Sequence, residues 1–272
     1  MAKDKHVSRI HLKDGDAWVK QYGDDRRVVR LRAMDWVVRK LGIIALRPPP
    51  RHTGAEGREV EQRRLGELSR LGVHVPRVLG HGDDSLVLSD IGTTLAHRLR
   101  HGSREEARVL LVAAVAAIAQ VHASGSYLGA PVARNLTVDH DGRIGFLDFE
   151  EDPGEVMPLL QAQARDWLVF TAGVARHAPF DEEELSAILA HALRQGPVEL
   201  RDTLGRAVGR LSFLKTLTRA LGERASGLGK AVGSLQRALW NSAGAVLLAI
   251  LTADLLHDGD LEVLRALAQW VD

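Results

Sequence analysis

The character of the chain changes once, at Asp90-Ile91-Gly92, and that change limits its architecture more than any other feature. Before it, short apolar runs alternate with turn residues. Ile10, Leu12, Trp18 and Lys20 alternate about Asp14-Gly15, which signals a hairpin. Val73 to His81 and Ser85 to Leu88 read as two further strands joined by Gly82-Asp83-Asp84. Arg26 to Leu41 has helical spacing and ends before Pro48-Pro-Pro50, since prolines cannot donate helical hydrogen bonds. Glu59 to Leu71 reads as a second helix, closed by Gly72 at C′. After Gly92 the pattern is helical. Glu105 to Val121 is so rich in Ala, Val and Leu that a buried helix is expected. Further helices are expected over Leu159–Arg176, Glu182–Leu193, Leu200–Leu221, Leu228–Leu256 and Leu261–Trp270, with strands only at Leu136–Val138 and Ile144–Leu147. The expected class is α+β and two-lobed: a small sheet-containing lobe over 1–90, a mainly helical lobe over 91–272, and a ligand cleft between them.

Composition narrows the chemistry. With no cysteine, a disulfide scaffold, a thiolate zinc site and a cysteine nucleophile are excluded. Thirty-six Lys and Arg nearly cancel thirty-five Asp and Glu, but unevenly along the chain. Residues 1–64 carry sixteen basic against nine acidic side chains, and residues 145–200 three against eleven. Ordinary solvated surface explains this layout, and so does a cation or polyphosphate site where the acidic middle faces the basic start. The apolar run Ala238–Ala253 is sixteen residues long, short for a spanning helix, and Met1 to Val7 has no apolar run of signal-peptide length. A cytoplasmic location is expected.

The most informative segment is Arg134 to Glu150. Asp141-Gly142 reads as a two-residue type I′ turn, so opposed residues have numbers summing to 283. That register sets Asn135 opposite Asp148, an amide oxygen beside a carboxylate, the hard-oxygen pairing that suits Mg²⁺. A polar strand end without a ligand is the alternative.

Val121-His-Ala-Ser-Gly-Ser-Tyr-Leu-Gly-Ala-Pro-Val-Ala-Arg-Asn135, followed by Phe146-Leu-Asp-Phe-Glu150, resembles the catalytic segment of the protein-kinase-like superfamily. The branch it is most similar to comprises the bacterial lipopolysaccharide-core (Kdo/heptose) kinases and the small kinase of the KEOPS complex. The resemblance implies that Asn135 and Asp148 are magnesium ligands and that Asp166 braces the catalytic loop. Ala17-Trp-Val-Lys20 resembles the strand whose lysine holds the α- and β-phosphates. Glu61 falls where the lysine's glutamate partner is expected, with Glu59 and Glu67 as competitors. Leu86 to Gly92 resembles the strand and hinge against which adenine binds, placing Ser89 and Asp90 beside the base. The function implied by the resemblance is an ATP-dependent phosphotransferase, using ATP and Mg²⁺, on a small-molecule or lipid-linked acceptor.

Two departures from the pattern stand out. Leu128-Gly-Ala130 replaces His-Gly-Asp, so alanine occupies the catalytic aspartate position. Glu150, Glu151 and Asp152 are the substitute carboxylates to weigh. Only Gly15 precedes Lys20, flanked by Asp14 and Asp16, so the glycine-rich phosphate lid is missing and the first strand is expected to be very short or absent. The alternative function is therefore a pseudokinase that regulates a protein partner or a membrane-surface assembly. The Arg-rich helix 26–40, carrying Trp36, and the basic stretch 201–237 suit peripheral contact with an anionic membrane, and equally a solvated helix face. Twelve aromatic residues are too few for stacking on single strands, so no nucleic acid is expected. His97 and His101 lack a third ligand and read as structural, and Ser124-Gly-Ser126 lacks nucleophile-elbow spacing.

Overall fold

A computed structural model describes residues 6–13, 15–23, 42–50, 52–220, 227 and 229–239. The expected helices over 26–41 and 261–270, the end of the one over 228–256, and Asp14 lie outside the described residues. The chain is α+β, an antiparallel N-terminal sheet followed by a mostly helical region, as expected.

Strands β1 (His6–Leu12) and β2 (Gly15–Gln21) form an antiparallel hairpin in which Leu12 pairs with Gly15. Gly15 is therefore already in the strand, one position earlier than a turn at Asp14-Gly15 would put it. β1 is seven residues long, which corrects the expectation of a very short or absent first strand. β3 (Val78–His81) and β4 (Ser85–Ser89) complete a four-stranded sheet in the order β1-β2-β4-β3. The strand expected from Val73 begins only at Val78, because Pro76 has no amide hydrogen to give a ladder. Helix α1 (Gly54–Arg70) packs on this sheet and ends in a Schellman motif: Gly72, at φ +74°, donates to the Ser69 carbonyl and Val73 donates to that of Leu68.

Beyond residue 90 come β5 (Thr93–Thr94), α2 (Leu95–His101) and α3 (Arg104–Ala123). The Ser103 hydroxyl caps α3 by accepting from the Glu106 amide at 3.1 Å. α3 is long and apolar enough to cross a membrane by composition, yet its Leu110, Leu111, Ala114, Val115 and Ile118 are buried in the hydrophobic cluster. β6 (Leu136–Val138) and β7 (Ile144–Phe146) join β5 in a three-stranded sheet. Helices α4 (Leu159–Ala175), α5 (Glu182–Gln195), with an Asp181/Glu184 capping box, and α6 (Val198–Ala220) come next, and 229–239 is helical. One hydrophobic cluster runs from Tyr22 and Leu68 near the first sheet through Trp167 and Phe170 to Leu211. Each segment's apolar face is thus buried against several others rather than against its neighbours alone.

Candidate functional site

Period two along β2 puts Trp18 and Lys20 on one face, with Tyr22 just past the strand end. Lys20 lies in the interior of the sheet, opposite Val7 on one side and Leu86 on the other, and only 7% of it is exposed. A lysine so buried needs anionic partners. Its ammonium donates at 2.6 Å to Glu61 Oε2 and at 2.6 Å to Asp148 Oδ1, with Glu150 Oε2 at 3.7 Å. Burial alone would pull the lysine's pKa down; the carboxylates of Glu61, Asp148 and Glu150 together outweigh it and hold the pKa well above the ordinary value.

Glu61 on α1 is almost fully buried and is fixed from three directions. It accepts from Lys20, from the Tyr22 hydroxyl at 2.6 Å, and from the Phe149 amide at 3.3 Å. Burial, and then the Glu61 charge, raises the Tyr22 pKa, so the phenol stays a donor. The competitors point elsewhere: Glu59 pairs with Arg58, and Glu67 pairs with Arg63 and Arg64.

The β6–β7 ribbon brings Asn135 and Asp148 together, but not in the expected way. Leu136 pairs with Phe146 and Val138 with Ile144, so opposed numbers sum to 282 rather than 283. The turn is a three-residue loop, His140-Asp141-Gly142, with Gly142 at φ +79° and the Asp139 carboxylate accepting from the amides of Asp141 and Arg143. Opposite Asn135 therefore lies Leu147, whose amide donates to the Asn135 carbonyl at 2.8 Å. Asp148 comes back to the ribbon because its backbone is left-handed, φ +69°, the one non-glycine residue with positive φ among the described residues. Asn135 Nδ2 then lies 3.4 Å from Asp148 Oδ2 and donates to the Ala130 carbonyl at 3.0 Å.

Beneath these residues, α4 holds the 126–130 loop. Asp166 is fully buried; its carboxylate accepts from the amides of Leu128 and Gly129, both at 2.7 Å, with His122 Nε2 at 2.9 Å. Arg165 Nε donates to the Gly129 carbonyl at 3.0 Å, and Gln163 Nε2 to the carbonyls of His122 and Ser126. Gly129 sits at φ +94° with Pro153 close to where a Cβ would lie, so only glycine fits without strain.

A cavity of about 360 Å³ opens beside Lys20, Glu61, Asn135 and Asp148, and its remaining walls are mainly apolar: Val7, Trp18, Pro76, Leu88, Ile91 and Leu147. Ser89 lines it as well. The amides of Ser89 and Asp90 donate to the carbonyls of Arg77 and Asp16, so neither amide is left to donate to a base. The Asp90 side chain is engaged too, accepting from Trp18 Nε1 at 2.9 Å and from the Gly92 amide at 2.7 Å.

Of the substitute carboxylates, Asp152 is buried and tied to Arg63, to the Tyr127 hydroxyl and to the Gly154 amide. Burial opposes its ionisation, but those hydrogen bonds win and hold its carboxyl below the usual range. Glu151 lies 4.0 Å from the Arg165 guanidinium, and Glu150 faces Lys20. His97 and His101 lie with ring centroids 4.5 Å apart and ring planes tilted by 43°, and belong to no metal-binding group among the described residues. Sequence reasoning missed Trp18, Tyr22 and Tyr127. The first two were legible from their two-residue spacing to Lys20.

No family model matches the chain, and no curated protein matches it. Among solved structures, the chain is similar to that of Rv3197 from Mycobacterium tuberculosis in complex with erythromycin, at 18% identity over 86% of this chain and 71% of that one, with a TM-score of 0.34. At that distance the likeness carries no inference about activity.

Proposed function

We propose that this chain is a kinase-like, ATP-dependent phosphotransferase acting on a small-molecule or lipid-linked acceptor. The observation that supports this reading best is the coupling of Lys20 to Glu61 and Asp148 beside an apolar cavity, with Asn135 at hydrogen-bonding distance from Asp148. In this reading residues 1–90 form the phosphate-binding lobe and residues 91–272 the lobe that carries the loop. Lys20 contacts the phosphates, and Glu61 fixes its direction.

The donor set fits Mg²⁺. The Asn135 amide nitrogen is engaged by Ala130 and Asp148, so its oxygen is the atom it has to offer, beside the hard oxygens of Asp148. When bound, the ion neutralises charge on the phosphate chain. Asp166 keeps the loop backbone, and so the Ala130 carbonyl that orients Asn135, in one position.

Transfer joins an acceptor hydroxyl oxygen to the γ-phosphorus while the bond to ADP breaks and the hydroxyl proton passes to water. Ala130 cannot take that proton, which removes a contribution of about 10²–10⁴-fold. Asp152 does not replace it, since its carboxylate is committed to Arg63 and Tyr127. Turnover is therefore slow. That same commitment favours the second reading, a pseudokinase that binds nucleotide and regulates a partner. A cytoplasmic site of action, with peripheral contact to an anionic membrane surface, belongs to the proposal.

Thermal denaturation titrated with ATP and MgCl₂ tests the reading. A ligand of the native state alone adds about 2.7 kcal/mol at a hundred times its Kd, and Asp148→Asn is expected to remove the effect. ADP release over an acceptor panel, compared with Ala130→Asp, separates the two functions. Faster release in the variant supports a phosphotransferase, and none in either form supports the regulator. No saturable shift with ATP·Mg²⁺ refutes the phosphotransferase and any regulator that works through bound nucleotide.

A further inference from the structure

A second cavity, of about 500 Å³, shares Ile91 and Gly92 with the first but none of its charged residues. His74, from the segment that leads into β3, lines it together with Asp139 and His140, from the loop between β6 and β7. Backbone bonds hold these two segments against each other. The Phe146 amide donates to the His74 carbonyl at 2.9 Å, and Arg143 Nη2 donates to the Gly72 carbonyl at 3.3 Å. Gly145 leaves room for the imidazole, since a Cβ there would come within 3.3 Å of His74 Nδ1.

His74 Nδ1 is shut off from solvent and makes no hydrogen bond, an arrangement that costs stability unless something else pairs with it. Facing it is Asp139 Oδ2 at 3.8 Å, too far for a hydrogen bond. Burial opposes ionisation of Asp139, but the bonds from the Arg143 and Asp141 amides outweigh it and hold its pKa below the ordinary value, so the carboxylate is charged. A ring nitrogen and a carboxylate oxygen on one tetrahedral zinc, each about 2.0–2.1 Å from the ion, lie about 3.4 Å apart. The His74–Asp139 pair reaches that spacing with a shift of about half an ångström. His140 supplies a second imidazole: its ligand atom and those of the Asp139 and Asp141 carboxylates lie within 4.8 Å of one another. The guanidiniums at hand are engaged, Arg98 by Glu106 at 2.7 Å and Arg143 by the Gly72 carbonyl.

We propose that His74, Asp139 and His140 form a site for a divalent transition-metal ion of the zinc class, with Asp141 or water completing the shell. Two imidazoles favour zinc, cobalt or nickel over the hard Mg²⁺ ion, which suits oxygen ligands, so this site and the one beside Lys20 take different metals. The consequence of binding follows from where the ligands come from. His74 leads into the four-stranded sheet, whereas Asp139 and His140 leave the three-stranded one. A bound ion therefore ties the two sheets together beside residues 91–92, which line both cavities. The proposal does not depend on the nucleotide-binding reading.

Thermal denaturation of the full chain tests this, after stripping with a chelator and during titration with ZnCl₂ in excess MgCl₂ without nucleotide. A ligand of the native state raises Tm saturably, and Co²⁺ in place of Zn²⁺ reports its ligands through a visible absorption band. The expected result is a saturable rise that EDTA reverses, a Co²⁺ band, and affinity at least about tenfold weaker in His74→Gln and in His140→Gln. Zinc affinity is expected to be unchanged in Asp148→Asn and in His101→Gln, which alter the carboxylate cluster beside Lys20 and the His97–His101 pair. No saturable rise and no band overturn the proposal and leave the nucleotide reading standing. Wild-type affinity in His74→Gln, in protein whose circular dichroism matches wild type, overturns it, and so does loss of binding in Asp148→Asn or His101→Gln, because the ion then sits elsewhere. Should His74→Gln fail to fold, the exposed His140 decides: a Co²⁺ band of unchanged shape and affinity in His140→Gln overturns the site.

Discussion

Replacing Asp166 with alanine removes one fully buried carboxylate and leaves three donors facing it. The amides of Leu128 and Gly129 each lose a 2.7 Å bond to a charged acceptor, and His122 Nε2 loses its 2.9 Å neighbour. Hydrogen bonds to a charged group are worth about 1.5–3 kcal/mol, and a stranded buried donor costs about 1–3 kcal/mol. Two stranded amides, partly relieved by water entering the space, amount to about 3–5 kcal/mol. The loop does not detach, because Arg165 and Gln163 still hold its carbonyls. Asp166→Asn keeps the volume and one acceptor but turns an amide NH₂ toward a donor, so it is expected to cost about 2–4 kcal/mol. For a chain of this size the alanine variant corresponds to a Tm roughly 5–9 °C lower. Urea denaturation gives the energy, and amide hydrogen exchange gives the location, with Leu128 and Gly129 slow in wild type and fast in the variant. An alanine variant within about 1 kcal/mol of wild type, with both amides still protected, would falsify the account of how the loop is held.

The geometry gives two further expected outcomes. Asp152 has its carboxyl pKa depressed in the folded chain, so the stability it contributes is fully present above the unfolded value near 3.9 and is lost as pH falls through the folded value; Asp152→Asn should flatten the acid limb of a stability–pH curve, and an unchanged limb would show that its bonds to Arg63 and Tyr127 do not act through its charge. Gly92→Ala drives a Cβ into the Val138 carbonyl at φ +109° and should cost more than about 2 kcal/mol, measured by thermal melting; a neutral substitution would mean that Gly92 does not lie against the end of β6.

Most of the elements were legible in advance because their signals are local. The Gly72 stop, the Ala- and Leu-rich α3 and the turn-bounded strands all depend on residues a few positions apart. The register of the β6–β7 ribbon was not. Asp141-Gly142 suits a two-residue turn, yet the Asp139 side chain captures the amides of Asp141 and Arg143 and favours a three-residue loop, which moves every pair by one. Asn135 and Asp148 meet all the same, through a left-handed Asp148 that no sequence pattern announces.

The choice of Glu61 over Glu59 and Glu67 likewise needed the tertiary structure. All three lie on one helix, and only the rotation of α1 against the sheet decides which one reaches the lysine. By itself the sequence determined the order of strands and helices, the residue types available for chemistry, and the missing aspartate at Ala130. Folding decided which carboxylates face Lys20, which are held elsewhere, and which amides remain for a ligand. Those outcomes depend on pairings between residues 40 to 130 positions apart, and no local propensity encodes them.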